Sequence, residues 1–205
     1  MPREYSTITR VQNYLGITDS DYDTSKIGTY IQDMTTFIEE ETNRVFDADD
    51  ASSEKLYEAP ADKTIDLGDY RKSKVSLEVD EFVPGTNTLT IDGTEISSDD
   101  YIFYPMNSTP KLRVVLTETS GLNFTTAEQN IIFKAHWGYS VVAPSSIVFA
   151  CTILASGIIL NSISQEGELK SITIGRYTAT YKDEKQVNDF ERVQEILQKY
   201  TRPTI

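Results

Sequence analysis

The sequence predicts an α+β fold: a small core of about four helices carrying an inserted antiparallel β module. Three observations predict it. Apolar residues recur with the 3.6-residue period of a helix in the first 46 residues and again after residue 144, whereas between Leu56 and Tyr139 the period falls to two. A third is the Asp92-Gly93 pair between two short alternating runs, Thr88–Ile91 and Thr94–Ile96, which marks a tight hairpin and so antiparallel pairing.

The first helix is read from Ile8, Val11 and Leu15 on one face, with Gly16 as its stop. The second carries Ile27, Tyr30, Ile31, Met34, Phe37, Ile38 and Val45, so its expected span is Ile27–Phe46. Asp19, Asp21 and Asp23 precede it, where carboxylates cap free N–H groups and complement the positive helix end. A polar, acidic linker is expected at Asp47–Ser53. Strands are then expected around Ile65 and Leu67, at Val75–Val79, at Leu89–Ile91, at Tyr101–Tyr104, at Leu112–Leu116 and at Ile131–Trp137. Val83-Pro84-Gly85-Thr86-Asn87 and Thr117–Thr125 have the composition of turns between them.

After Pro144-Ser145-Ser146 the run Ile147–Ile163 is apolar on nearly every face, which places it at the centre of the helical part or in a subunit interface. Thr152, Ser156, Asn161 and Ser162 interrupt it and no Lys or Arg flanks it, so it reads as a buried helix and not a membrane span. Within it Ile153, Leu154 and Ile158 are expected to fill the core, while Ala155 and Gly157 allow a neighbour to approach closely. Gly167 is the expected cap, followed by a strand pair at Ile172–Tyr181. A last helix bears Val187, Phe190, Val193, Ile196, Leu197 and Tyr200 and stops at Arg202-Pro203. The resulting division is residues 1–54, the N-terminal helical part; 55–140, the β module; and 141–205, the C-terminal helical part with its strand pair.

With 205 residues the chain can bury a sizeable core without a metal or disulfide. The 19 basic against 32 acidic residues give a net charge of −13, a field that repels phosphate and argues against autonomous nucleic-acid binding. Cys151 is the sole cysteine, which rules out an intramolecular disulfide and a cysteine-based zinc site; a buried, inert thiol in a reducing compartment is the expectation. No apolar signal-peptide core follows Met1, so secretion by that route is not expected.

Catalytic and metal-binding patterns are missing. Asp19-Ser20-Asp21-Tyr22-Asp23 begins like a calcium loop, but Thr24 stands where the loop needs Gly and Tyr30 where it needs Glu. His136 is the only histidine and no Gly-x-Ser-x-Gly elbow occurs, so a structural role is expected for it. Asp49-Asp50 and Asp99-Asp100 read as solvated loop charge, leaving a hydrolase built on carboxylate pairs as a remote reading. No glycine-rich phosphate loop is present. The expectation is a protein with no enzymatic activity, no cofactor and no metal.

The order of elements, and the words within it, resembles the head–tail connector (adaptor) family of long-tailed bacteriophages. The resembling residues run from Tyr5-Ser6-Thr7-Ile8 through Val11-Gln12-Asn13-Tyr14-Leu15-Gly16-Ile17-Thr18 to Glu41-Thr42-Asn43-Arg44-Val45-Phe46-Asp47. After the β insertion come Trp137-Gly138-Tyr139, Ala143-Pro144, Ile174-Gly175-Arg176-Tyr177-Thr178 and the ending Tyr200-Thr201-Arg202-Pro203. The resemblance implies a non-enzymatic homo-oligomeric ring, commonly a dodecamer, in the neck of the virion, assembled from the host cytoplasm. It implies a portal protein on one side, a stopper or tail-completion protein on the other, double-stranded DNA passing non-specifically through the ring, and no membrane. It also points to portal docking by the final helix and tail: Tyr200, Thr201, Arg202, Pro203, Thr204 and Ile205. Pro203 holds that tail extended, Arg202 offers a planar fork to a carboxylate, and Ile205 is an apolar end with no core to enter.

Charge is consistent with such a ring: residues 1–54 hold four bases against twelve acids, whereas residues 141–205 balance seven with seven, which favours a head-to-side contact. An acidic lumen would also let DNA slide. The competing reading is a monomeric β-rich module for a carbohydrate or protein ligand, with Tyr101, Tyr104, Trp137 and Tyr139 as its stacking platform.

Overall fold

A computed structural model describes residues 3–58, 75–124, 130–163, 170–174, 177–181 and 184–202. The fold is α+β, with four helices and an antiparallel six-stranded sheet. The chain divides into a helical unit, Met1–Phe46 with Ala143–Ile205, and an inserted β unit, Asp47–Val142.

In the helical unit, α1 (Ile8–Leu15) starts where the Thr7 side chain accepts from the Arg10 N–H and stops at Gly16, whose φ of 68° needs a residue without a Cβ. α2 spans Thr24–Thr42 and buries Ile27, Ile31, Met34, Phe37 and Ile38. It begins a turn earlier than its apolar stripe because the Asp23 carboxylate caps the Ser25 N–H at 2.9 Å. Its end corrects the expectation of a helix running to Phe46. Asn43 adopts a left-handed φ of 51° and the Arg44 N–H turns back to the Glu39 carbonyl, so the chain leaves the helix before Val45. The other acids serve neighbouring turns: Asp21 accepts from Thr18, and Asp19 from Gln12.

α3 (Ser145–Ile163) is the hub, touching α1, α2, α4 (Glu184–Tyr200) and the second strand of the β7–β8 hairpin (Lys170–Ile174, Tyr177–Tyr181). Ile147, Ala150, Cys151, Ile153, Leu154, Ala155 and Ile159 are fully buried along it. By length and composition α3 could cross a membrane, with a mean hydropathy of 1.7, but more than half of that window is buried inside the protein. α4 turns Phe190, Val193 and Leu197 inward. The expected cap Gly167 and the expected strands at Ile65 and Leu67 lie outside the described residues.

The β unit contains β1 (Ser53–Tyr57), β2 (Ser76–Ile91), β3 (Thr94–Ile96), β4 (Tyr101–Tyr104), β5 (Lys111–Leu116) and β6 (Ile131–Trp137), in the order β1-β6-β2-β5-β4 with β3 also on β2. Asp92 and Gly93 take φ of 52° and 77°, the geometry of the two-residue hairpin the sequence predicts. Two expectations need correction. The strands at Val75–Val79 and Leu89–Ile91 are parts of one bent strand, β2, which pairs with β5 through Phe82 and with β6 from Phe82 to Ile91. The Pro84-Gly85 segment is therefore an irregularity within β2 and no reversal: Asn87 Oδ1 accepts the Gly85 N–H at 2.8 Å, satisfying locally a donor that leaves the ladder. Residues Asp47–Ser53 are no free linker, because the Ala48 N–H donates to the Ser140 carbonyl and the Asp49 N–H to the Trp137 carbonyl.

The β core is aromatic. Phe82 meets Phe133 at 5.0 Å and Phe103 at 5.1 Å edge to face, and Trp137 packs on both Phe82 and Phe133. The indole N–H of Trp137 donates to the Ser53 carbonyl at 2.9 Å, tying β6 to the start of β1.

Candidate interaction surfaces

The chemistry-bearing side chains lie apart. Among the described residues no group of three or more His, Cys, Asp or Glu is arranged to hold a metal. Cys151 is fully buried on α3; its thiol faces the Ile31 carbonyl and the Thr35 hydroxyl, each at 3.7 Å. Burial pushes its pKa up to about 12, so the nucleophilic thiolate is suppressed. His136 donates from Nδ1 to the Asp49 carbonyl at 2.9 Å and rests against Gly85, where any Cβ would come within 2.9 Å of the ring. It lines an open cleft of about 290 Å3 with Asp49, Asp50, Pro84 and Val141. Among the described residues that line this cleft there is no Ser, Thr, Cys or Lys.

The aromatic platform does not form. Trp137 and Tyr101 are each only 6% exposed, as core side chains of the β unit, and Tyr104 and Tyr139 are half-buried. Burial, and to a lesser degree Glu95, raise the Tyr101 pKa. Alternation in a strand sends every second side chain inward, and here the aromatic ones fill the interior.

Tyr200, Thr201 and Arg202 are anchored within the helical unit. Tyr200 stands edge-on to Phe46 at 5.4 Å and accepts a hydrogen bond from Ser146. Thr201 bonds back to the Leu197 carbonyl, and the Arg202 N–H donates to the Thr42 carbonyl at 2.9 Å, at the end of α2. Pro203, Thr204 and Ile205 lie outside the described residues. Phe46 is fully buried and is gripped on its other edge by Tyr5 at 5.8 Å. The Tyr5 hydroxyl accepts the Phe46 N–H at 2.8 Å and donates to Glu39 at 2.5 Å. Burial and that carboxylate push the Tyr5 pKa upward. The two ends of the described chain thus meet around one phenylalanine.

The residues expected to form the helical packing core separate by depth. Ile153, Leu154 and Ala155 are fully buried, Gly157 is buried, and Ile158 is half-exposed. Sequence periodicity missed Tyr5 and Phe46, because both lie outside a helix, where no spacing rule reports burial. Aromatic identity near a helix end was the available signal.

No family model matches this chain, and no curated protein matches it. In fold it is similar to a chain of the solved structure described as "Neck of empty GTA particle computed with C6 symmetry", at a TM-score of 0.54 and 11% identity, over 97% of this chain and 90% of that one. The likeness is one of fold.

Proposed function

We propose that the protein is a head–tail connector (adaptor) in the neck of a phage or phage-like particle. In this reading it forms a ring beneath the portal, extends the DNA channel and gives stopper or tail-completion proteins a platform. It has a structural role and no enzymatic one. The observation that carries the reading is the near end-to-end correspondence of fold with a neck chain, 97% of one and 90% of the other, reached independently of the connector-like order of sequence words. The neck structure was computed with C6 symmetry. Rings of six or twelve subunits obey that symmetry, and twelve is the number the resemblance favours. The acidic composition supports a lumen that DNA passes without adhering.

Portal docking falls to the tail beyond the Arg202 anchor. The bonds that hold Thr201 and Arg202 fix the residues that lead into this segment, which lowers the ordering cost of binding. The test is sedimentation of the full chain, and of a chain lacking Pro203–Ile205, with portal-containing heads assembled without this protein. The full chain cosediments; the truncated chain keeps its circular dichroism but is retained much less. Equal retention of both moves the docking surface to the N-terminal helices. No cosedimentation of either removes the connector reading.

A further inference from the structure

Glu4, Tyr5 and Ser6 precede α1 as a short strap outside any helix or strand, yet Tyr5 and Ser6 are only 3% and 4% exposed. The strap bridges α2 and α3. The Tyr5 N–H donates to Thr35 Oγ1 of α2 at 3.1 Å, and the hydroxyls of Ser6 and Thr152, the latter on α3, share a hydrogen bond of 2.7 Å. At its exposed margin the Glu4 carboxylate accepts from Gln32 at 2.8 Å. Cys151 adjoins both anchors: its thiol contacts Thr35 Oγ1 at 3.7 Å, and it precedes Thr152 in the chain. Burial raises the pKa of that thiol, and the Tyr5 N–H, which also reaches it, pulls the other way.

The slot under the strap is polar where helix packing alone would favour apolar side chains. Thr152 interrupts an otherwise apolar stretch of α3, and Thr35 stands in the buried stripe of α2. Both are buried, and both give the strap a hydroxyl. Such a slot suits two arrangements. With the strap seated its hydroxyls bond the strap; with the strap lifted they bond water instead, so the bonds are exchanged and not lost. An apolar slot would forfeit burial on opening with nothing in return. The strap's one large apolar anchor is the Tyr5 ring, edge-on to Phe46. The helices meanwhile pack on one another through their own buried residues, so the unit does not depend on the strap to stay folded.

We propose that Glu4-Tyr5-Ser6 is a reversible strap, which lifts from the Thr35–Thr152 slot as a local step and opens a path for water to Cys151 while the helices stay folded.

Thiol labelling and hydrogen exchange on the full chain test it. In native buffer Cys151 reacts with excess iodoacetamide at least about a hundredfold more slowly than free cysteine. That rate changes by less than about twofold as urea rises to the foot of the 222 nm transition, because a small opening exposes little surface. The Tyr5 amide, followed by NMR, exchanges with the same flat urea dependence, whereas exchange of the α3 amides rises steeply. Ser6→Ala, which deletes one hydrogen bond of the strap, speeds native labelling about two- to tenfold and keeps it flat in urea. Labelling that climbs with urea in step with α3 exchange overturns the inference, since the thiol is then reached only by unfolding the helices. Labelling as fast as free cysteine overturns it as well, and so does Ser6→Ala labelling at the wild-type rate.

Discussion

Replacing Phe46 by alanine is the sharpest test of how the helical unit is held. Phe46 is fully buried and sits edge-on between Tyr5 and Tyr200, so its removal leaves a cavity where the N-terminal segment, the end of α2 and the end of α4 converge. Deleting a buried phenylalanine typically costs about 3–5 kcal/mol, against a total stability of about 5–15 kcal/mol for a domain. With a urea m-value of about 1.5–2 kcal/mol/M, the midpoint falls by roughly 1.5–3 M. The two units can be followed separately. Trp137 is the only tryptophan and lies in the β unit, while ellipticity at 222 nm reports mainly the helices. Phe46→Ala is expected to lower the 222 nm midpoint and leave the tryptophan fluorescence midpoint in place. An unchanged 222 nm midpoint refutes the packing argument; equal shifts in both signals refute independent unfolding of the units.

Ile153→Asp places a carboxylate at a fully buried position of α3 and costs on the order of 3 kcal/mol or more, so normal melting of a soluble variant would contradict α3 as the hub. Cys151 in the native chain resists iodoacetamide at pH 8 and reacts once urea unfolds the helical unit, because burial holds its pKa at about 12; equal labelling in both states contradicts its burial. The sign of the linkage follows: a thiol raised from its ordinary 9.0 favours folding fully below pH 9, and that contribution is lost as pH rises from about 9 toward 12, a slope Cys151→Ala removes. Gly138→Ala destabilises the β unit, since a Cβ there would lie 2.6 Å from the Ala48 backbone, and an unchanged fluorescence midpoint would refute that close approach.

The helices and most strands were legible because each has one buried face and therefore a period. Val11, Ile27, Ile31 and Ile38 repeat at helical spacing, and Ile131, Phe133, Ala135 and Trp137 alternate inward along β6. Legibility failed where local chemistry competes with period. Val45 continues the apolar stripe of α2, but the left-handed Asn43 has already ended the helix. Pro84-Gly85 carries turn composition, yet β2 absorbs it as an irregularity because β6 pairs on both sides of it. The aromatic residues of the β unit signal stacking equally well for a surface or a core, and only the strand register shows that Trp137 and Tyr101 face inward. The burial of Lys111 has no period to betray it, since its ammonium group donates to the backbone carbonyls of Pro105 and Met106.

Electron cryo-microscopy of portal-containing heads, assembled without this protein and then supplied with it, tests the central claim most directly. The account predicts a ring of copies beneath the portal, with density in each subunit fitted by the four-helix unit built around α3. Heads whose portal region stays bare in the presence of excess folded protein would contradict it.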